Sequence, residues 1–264
     1  MRALWTAASG MKAQQLNMDI ISNNLANVNT TSYKRQKVEF KDLLYENLKT
    51  TNLNDGEGSP VNLQVGHGAM PVATTRMFTM GNLEKTDNPF DMAIEGEGFF
   101  VIEDPNGNLF YTRDGNFKLS VEFDEMRLVT SEGYTVLSDF EDAIYFDENM
   151  SDIIVSESGL ITAKTEDGEI EDIATIALVR FINPEGLEAV GKNLYIETTA
   201  SGEPIFMEDE ERTSDIIQNY LETSNVQIVD EMVRLITAQR TYEINSKAIQ
   251  TADEMLGMAN NLRR

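Results

Sequence analysis

A single histidine and no cysteine leave this chain few side chains able to act as a nucleophile or a soft metal ligand. Without thiols there can be no disulfide, zinc–thiolate site, iron–sulfur cluster or cysteine nucleophile. A Ser-His-Asp arrangement would have to use His67 alone, and no histidine cluster is available to hold a metal. His67 stands in Gly66-His67-Gly68, next to a predicted strand, and is read as structural. Asp104-Pro105-Asn106-Gly107-Asn108 places side-chain oxygens at alternate positions, as a calcium loop does. Such a loop also needs glycine at its sixth position and a bidentate acid at its twelfth. Counted from Asp104, those positions hold Leu109 and Gly115, so the segment is read as a hairpin turn. Gly96-Glu97-Gly98 is followed by the β-rich Phe99-Phe100 rather than by a helix N-terminus, so it does not read as a phosphate loop. Its glycines are expected to turn the backbone or let it approach a neighbouring segment. With 45 acidic residues, carboxylate pairs arise by chance, and none stands out for acid/base work. The sequence offers no catalytic, cofactor-binding or metal residues.

What the sequence does offer is pattern at its two ends. Leu4, Met11, Met18 and Leu25 recur every seven residues, with Ala7, Gln14, Ile21 and Val28 as a second row. Near the C-terminus Ile228, Leu235, Tyr242, Ile249 and Leu256 recur at the same interval. A strict seven-residue repeat keeps a narrow apolar seam on one face of a helix and favours a left-handed supercoil. A narrow seam needs partner helices, and these nine residues are the candidate assembly interface. Packing within one chain would use the same rows. Their regular spacing along so long a helix favours packing between copies.

The first helix is expected over about Arg2–Asn27, ending where Asn27-Val28-Asn29-Thr30-Thr31-Ser32 competes for backbone hydrogen bonds. A short helical turn is expected over Phe40–Leu48, and Lys49–Pro60 reads as loop. From about Val65 the period falls to two. Short β-rich runs such as Leu109-Phe110-Tyr111-Thr112 and Thr175-Ile176-Ala177-Leu178-Val179-Arg180-Phe181 are separated by turn signals such as Asp114-Gly115-Asn116 and Glu132-Gly133. That pattern predicts an antiparallel, barrel- or sandwich-like domain. The last helix is expected from an N-cap region at Thr223-Ser224-Asn225 to about Leu262, on the order of 55 Å long. The fold class is α+β: terminal helices packing as a coiled-coil-like base, with a central antiparallel β domain, giving an elongated molecule. Its divisions are residues 1–40 (helix and loop), 41–64 (linking segment), 65–207 (β domain), 208–219 (acidic linker) and 220–264 (helix).

Charge follows the same division. Residues 1–40 hold five basic and two acidic side chains, and residues 216–264 hold five and six. The middle keeps 37 acids against 11 bases, which argues against nucleic acid as a partner. No apolar run reaches the ~18 residues a membrane helix needs, and no cleavable signal peptide is visible.

Three blocks resemble a known family. Leu4-Trp5-Thr6-Ala7-Ala8-Ser9-Gly10-Met11 with Ser22-Asn23-Asn24-Leu25-Ala26-Asn27-Val28-Asn29-Thr30-Thr31 is similar to the N-terminal signature of bacterial flagellar rod and hook proteins. Asp91-Met92-Ala93-Ile94-Glu95-Gly96-Glu97-Gly98-Phe99-Phe100 and Tyr111-Thr112-Arg113-Asp114-Gly115-Asn116-Phe117 resemble their central β domain. Leu221-Glu222-Thr223-Ser224-Asn225-Val226 and Gln239-Arg240-Thr241-Tyr242-Glu243-Ile244-Asn245-Ser246-Lys247 resemble their C-terminal signature. The length, the opening block and Glu243-Ile244-Asn245-Ser246-Lys247 point to the distal-rod branch. The chain departs from the pattern at Ser32, near Asp124-Glu125-Met126 and near Asn219-Tyr220, where glycine is usual. A non-glycine residue is poorly suited to positive φ.

The resemblance implies a non-enzymatic subunit without cofactors, exported unfolded through the flagellar type III apparatus and polymerised helically into the rod that crosses the periplasm. Its partners would be copies of itself, the proximal rod and hook-side axial proteins, and the bushing rings, with no nucleic acid. A proximal rod or hook subunit is the nearest alternative. A secreted calcium-dependent β protein or enzyme is the other, and the sequence supplies no residue set for it.

Overall fold

The computed structural model describes residues 2–49, 63–122, 125–140, 142–147, 150–165, 169–207 and 214–261. The chain divides into two compact units: unit 1 holds Met1–Ala26, Gln36–Arg76 and Gln227–Arg264, and unit 2 holds Asn27–Arg35 and Met77–Val226.

Unit 1 is built on two helices, α1 (Arg2–Ala26) and α2 (Ile228–Asn261). At ~1.5 Å per residue, the 34 residues of α2 extend about 50 Å. α1 packs along α2 and also against an antiparallel ribbon of Gln36–Asp42 and Ala69–Arg76. Val38 is the ribbon's buried apolar residue. A second ribbon pairs Tyr45–Lys49 with Leu63–Gly66, and residues 50–62, the greater part of the predicted loop, lie outside the described residues. The helical turn expected over Phe40–Leu48 is therefore two strands. The stretch is too short to nucleate a helix, whereas pairing with residues 63–76 satisfies its backbone groups. Residues 69–76, expected in the β domain, belong to the helical unit for the same reason. Of the expected acidic linker, residues 208–213 lie outside the described residues and Asp215–Gln218 is a strand.

Unit 2 is antiparallel throughout its described pairings. A ten-stranded sheet runs through Tyr145–Asp147, Glu125–Thr130, Thr135–Val136, Phe99–Glu103, Leu109–Thr112, Leu194–Ile196 and Glu188–Gly191, with further strands attached to it. Phe99–Glu103 lies at its centre, paired with Leu109–Thr112, Thr135–Val136 and Leu178–Arg180. Side chains alternate across a strand, and here both faces are covered. Phe100 and Ile102 enter one core with Phe117, Leu128 and Phe146. Phe99 and Val101 enter the other with Tyr111, Val179, Phe181 and Tyr195. That is why this run reads as continuously apolar. A three-stranded sheet (Ser151–Val155, Leu160–Lys164, Ile170–Thr175) and two strand pairs complete the unit. The pairs are Met92–Glu95 with Asp215–Gln218, and Leu83–Lys85 with Tyr220–Glu222.

Candidate functional site

Two features stand out, one in each unit. In unit 1 α1 packs along α2, and the buried residues of α2 are small or acidic. Ala7, Ala13, Ile20, Ile21 and Asn24 are the buried residues of α1. Glu231, Ala238 and Ala252 are those of α2, and Asn245 between them is half-buried. These α2 positions repeat every seven residues, as predicted, but on a different row from the large apolar one. Small side chains let the helices come close: a Cβ on Gly10 would lie 2.9 Å from Asn245 Nδ2. At one end Asn24 closes the packing. Its Nδ2 donates to the Gln36 carbonyl (2.9 Å) and to Glu231 Oε2 (3.3 Å), and its Oδ1 accepts from the Gln36 N–H (2.9 Å). One amide thus satisfies both backbone groups of Gln36 and a buried carboxylate in the first turn of α2, where negative charge is favourable.

The predicted interface rows lie beside this seam and are only partly covered by it. Leu4, Met11, Met18 and Leu25 are half-buried on α1, and so are Leu235 and Ile249 on α2. Ile228, Tyr242 and Leu256 are 47%, 36% and 45% exposed. On another side of α2, Val229, Val233 and Ile244 are 73%, 58% and 65% exposed. Large apolar side chains left exposed on a helix mark it as a place for interaction.

In unit 2 three charged side chains are buried together. Glu222 accepts from Lys34 Nζ (2.5 Å) and the Gly81 N–H (2.7 Å) through Oε1, and from Arg113 Nε (2.9 Å) through Oε2. Their side chains are 0–2% exposed. Arg113 spends its other donors on the carbonyls of Gly98 (2.9 Å), Gly96 (3.0 Å) and Ile94 (3.4 Å). Gly96 and Gly98 have φ of 126° and 140°, a conformation that side chains rarely adopt, and it turns their carbonyls toward the guanidinium. The glycine pair noted in the sequence is thus an arginine cradle. Lys34 Nζ also donates to the Thr79 carbonyl (3.0 Å). Burial, with Arg113 close by, outweighs Glu222 and lowers Lys34 to a pKa of about 8. Burial also opposes ionisation of Glu222, but Arg113 and Lys34 together hold its carboxyl below the ordinary range. Removing one partner from such a group leaves a buried charge unpaired, at ~3–5 kcal/mol.

Asn225, expected near the helix N-cap, does different work. Its Oδ1 accepts from the Arg35 N–H (2.8 Å), and its Nδ2 donates to the carbonyls of Met77 (2.8 Å) and Thr79 (3.0 Å). α2 begins three residues later, at Ile228. Two of the positions where glycine is usual do require positive φ: Ser32 has φ 53° and Asn219 φ 63°. Ser32 compensates with its hydroxyl, which donates to the Arg113 carbonyl (2.7 Å). The third, near residues 124–126, is partly outside the described residues. Asp104-Pro105-Asn106-Gly107-Asn108 is a hairpin turn, with the Asn106 amide on Asp104 Oδ2 (2.6 Å). His67 Nδ1 lies 2.9 Å from the Leu44 carbonyl, so it holds a turn of unit 1.

Sequence reasoning did not single out Lys34, Arg113 or Glu222. Each nevertheless lies in or beside a block that carried the resemblance, and in the structure those blocks meet at one buried point.

A helix pair that leaves large apolar residues of α2 exposed, in a chain whose β unit is closed by buried charges, has the character of a structural subunit. Three family models match: "Flagella basal body rod protein" over residues 4–34, "Flagellar hook protein FlgE/F/G D1 domain" over 93–163, and "Flagellar basal body rod FlgEFG protein C-terminal" over 217–262. Each matched segment contributes one of the three buried charges. The chain is 48% identical to flagellar basal-body rod protein FlgG of Borreliella burgdorferi, over 100% of this chain and 99% of that one. It is 43% identical to the protein of the same name in Caulobacter vibrioides and 33% identical to that in Bacillus subtilis, over 100% of both chains in each case. The chain belongs to the flagellar basal-body rod protein family, and its role is that of a structural subunit of the distal rod.

Proposed function

We propose that this subunit polymerises with copies of itself through the partly exposed apolar rows of α1 and α2, and that it carries torque without any catalytic step. The observation that carries this reading is that the pairing of α1 with α2 leaves Ile228, Tyr242 and Leu256 47%, 36% and 45% exposed, with Leu235 and Ile249 half-buried. A surface that meets a non-identical surface on the next copy builds an open helical filament. Leu4, Met11, Met18 and Leu25 supply the matching face. The ends of the polymer meet proximal rod and hook-side axial proteins, and bushing rings surround it where it crosses the periplasm. The chain reaches that place through the flagellar export apparatus.

The test is assembly of the purified chain at high concentration, with Tyr242→Asp beside it. Leu235 and Ile249 are partly in the intramolecular seam, whereas Tyr242 is the better probe because it is exposed. The wild-type chain should form filaments on micrographs. Tyr242→Asp should form none while keeping the circular dichroism of the wild-type monomer. Filaments from both would show that this row faces no partner helix.

A further inference from the structure

Glu222 comes last of the three buried charges, 188 residues after Lys34 and 109 after Arg113. The segment around it closes unit 2 in several places. Asp215–Gln218 pairs with Met92–Glu95, and Tyr220–Glu222 with Leu83–Lys85. The Glu222 carbonyl accepts the Ser32 N–H (2.8 Å), and Asn225 ties Arg35 to Met77 and Thr79. Until this segment arrives, Lys34 and Arg113 have no carboxylate in their cavity. An unpaired cation is far more stable in water than in a protein interior, so both must remain solvated. Arg113 cannot do so and also hold the carbonyls of Gly96 and Gly98, which lead directly into the central strand Phe99–Glu103.

We propose that residues 214–226 are a closing strand that gates the folding of the β unit: the central sheet does not consolidate until Glu222 has entered between Lys34 and Arg113. For a chain that passes through the flagellar export apparatus, as the proposed function has it, unit 2 stays open until residue 222 is free to pair. That consequence rests on the export reading, whereas the gating itself does not.

Pulsed hydrogen exchange during refolding of the full-length chain tests it. Amides of 99–103 and 109–112 should become protected within about twofold of the time at which 215–222 do. Simple two-state folding would give the same timing, so the deciding chain is full-length Lys34→Met/Arg113→Met/Glu222→Met, which has no charge to bury. There the central sheet should be protected about tenfold ahead of 215–222. Protection of the wild-type central sheet tenfold ahead of 215–222 would overturn the proposal, and so would equal timing in both chains. If the triple variant does not fold, full-length Glu222→Gln replaces it. Its central sheet should be protected about tenfold more slowly than in wild type or not at all, and an unchanged rate would overturn the proposal. No arm uses export or filaments, so failure here leaves the rod reading standing.

Discussion

At the scale of single residues the molecule depends on charges placed where charges are rarely found. In a chain with 45 acids and 21 bases, Glu222 or Lys34 taken alone reads as one more solvated side chain. Only the segments around them were legible, through the blocks that resemble a family. Burial decides their role, and burial depends on residues far away in sequence. A pH dependence follows. Lys34 releases its proton at about 8 in the folded chain and at 10.5 when unperturbed. Between those values the unfolded chain still holds a proton that the folded one has lost, so this group adds stability as pH rises through that window. The contribution of Glu222 has the opposite arrangement. Its folded pKa lies below the ordinary 4.5, so its stabilisation is full above that value and is lost as pH falls below it. Nitrogen-detected titration of Lys34 Nζ should give a midpoint near 8, and a midpoint near 10.5 would mean that the ammonium is solvated. Asn219 gives a second prediction. At φ 63° it holds a conformation that glycine adopts freely, so Asn219→Gly should raise the urea midpoint by up to about 1 kcal/mol in stability. A loss would show that its side chain contributes more than its backbone costs.

At the scale of elements, period was legible and facing was not. The seven-residue repeat places both terminal helices within a residue or two of their true N-terminal and C-terminal extents, apart from the start of α2. The repeat cannot say which row turns inward, because large apolar residues advertise a seam while small ones make it. Glu231, Ala238 and Ala252 are buried instead, and the large apolar row beside them is only partly covered. The same limit applies at residues 40–48, where pairing with strands 17 to 31 residues away overrides local preference. The β unit was legible as antiparallel because its turns carry Gly and Asn at the required places. The α1–α2 seam can be tested by size. Ala238→Leu puts a large side chain into a close helix contact and should cost ~1–3 kcal/mol. Limited proteolysis should then cut 1–26 and 228–261 faster, while 77–207 keeps its wild-type resistance. Val233→Leu, on the exposed face, should change neither. Equal behaviour of the two variants would mean that the helices are not held by this row.

At the scale of the whole molecule the charge is divided by unit. The segments of unit 1 hold 11 basic and 11 acidic residues, and those of unit 2 hold 10 and 34. Copies of an acidic β unit repel one another at short range, with a reach of about 8–10 Å in physiological salt. Contacts between copies should therefore run through the neutral helices, whose apolar rows are partly exposed, so that the helices of unit 1 make the shaft. The most direct measurement is electron microscopy of basal bodies isolated from cells that lack this chain, and from the same cells supplied with wild type or with Tyr242→Asp. Without the chain the rod should stop short; wild type should restore its full length, and Tyr242→Asp should not, although the variant is produced and folded. Full-length rods without the chain, or with Tyr242→Asp as the only copy, would contradict it.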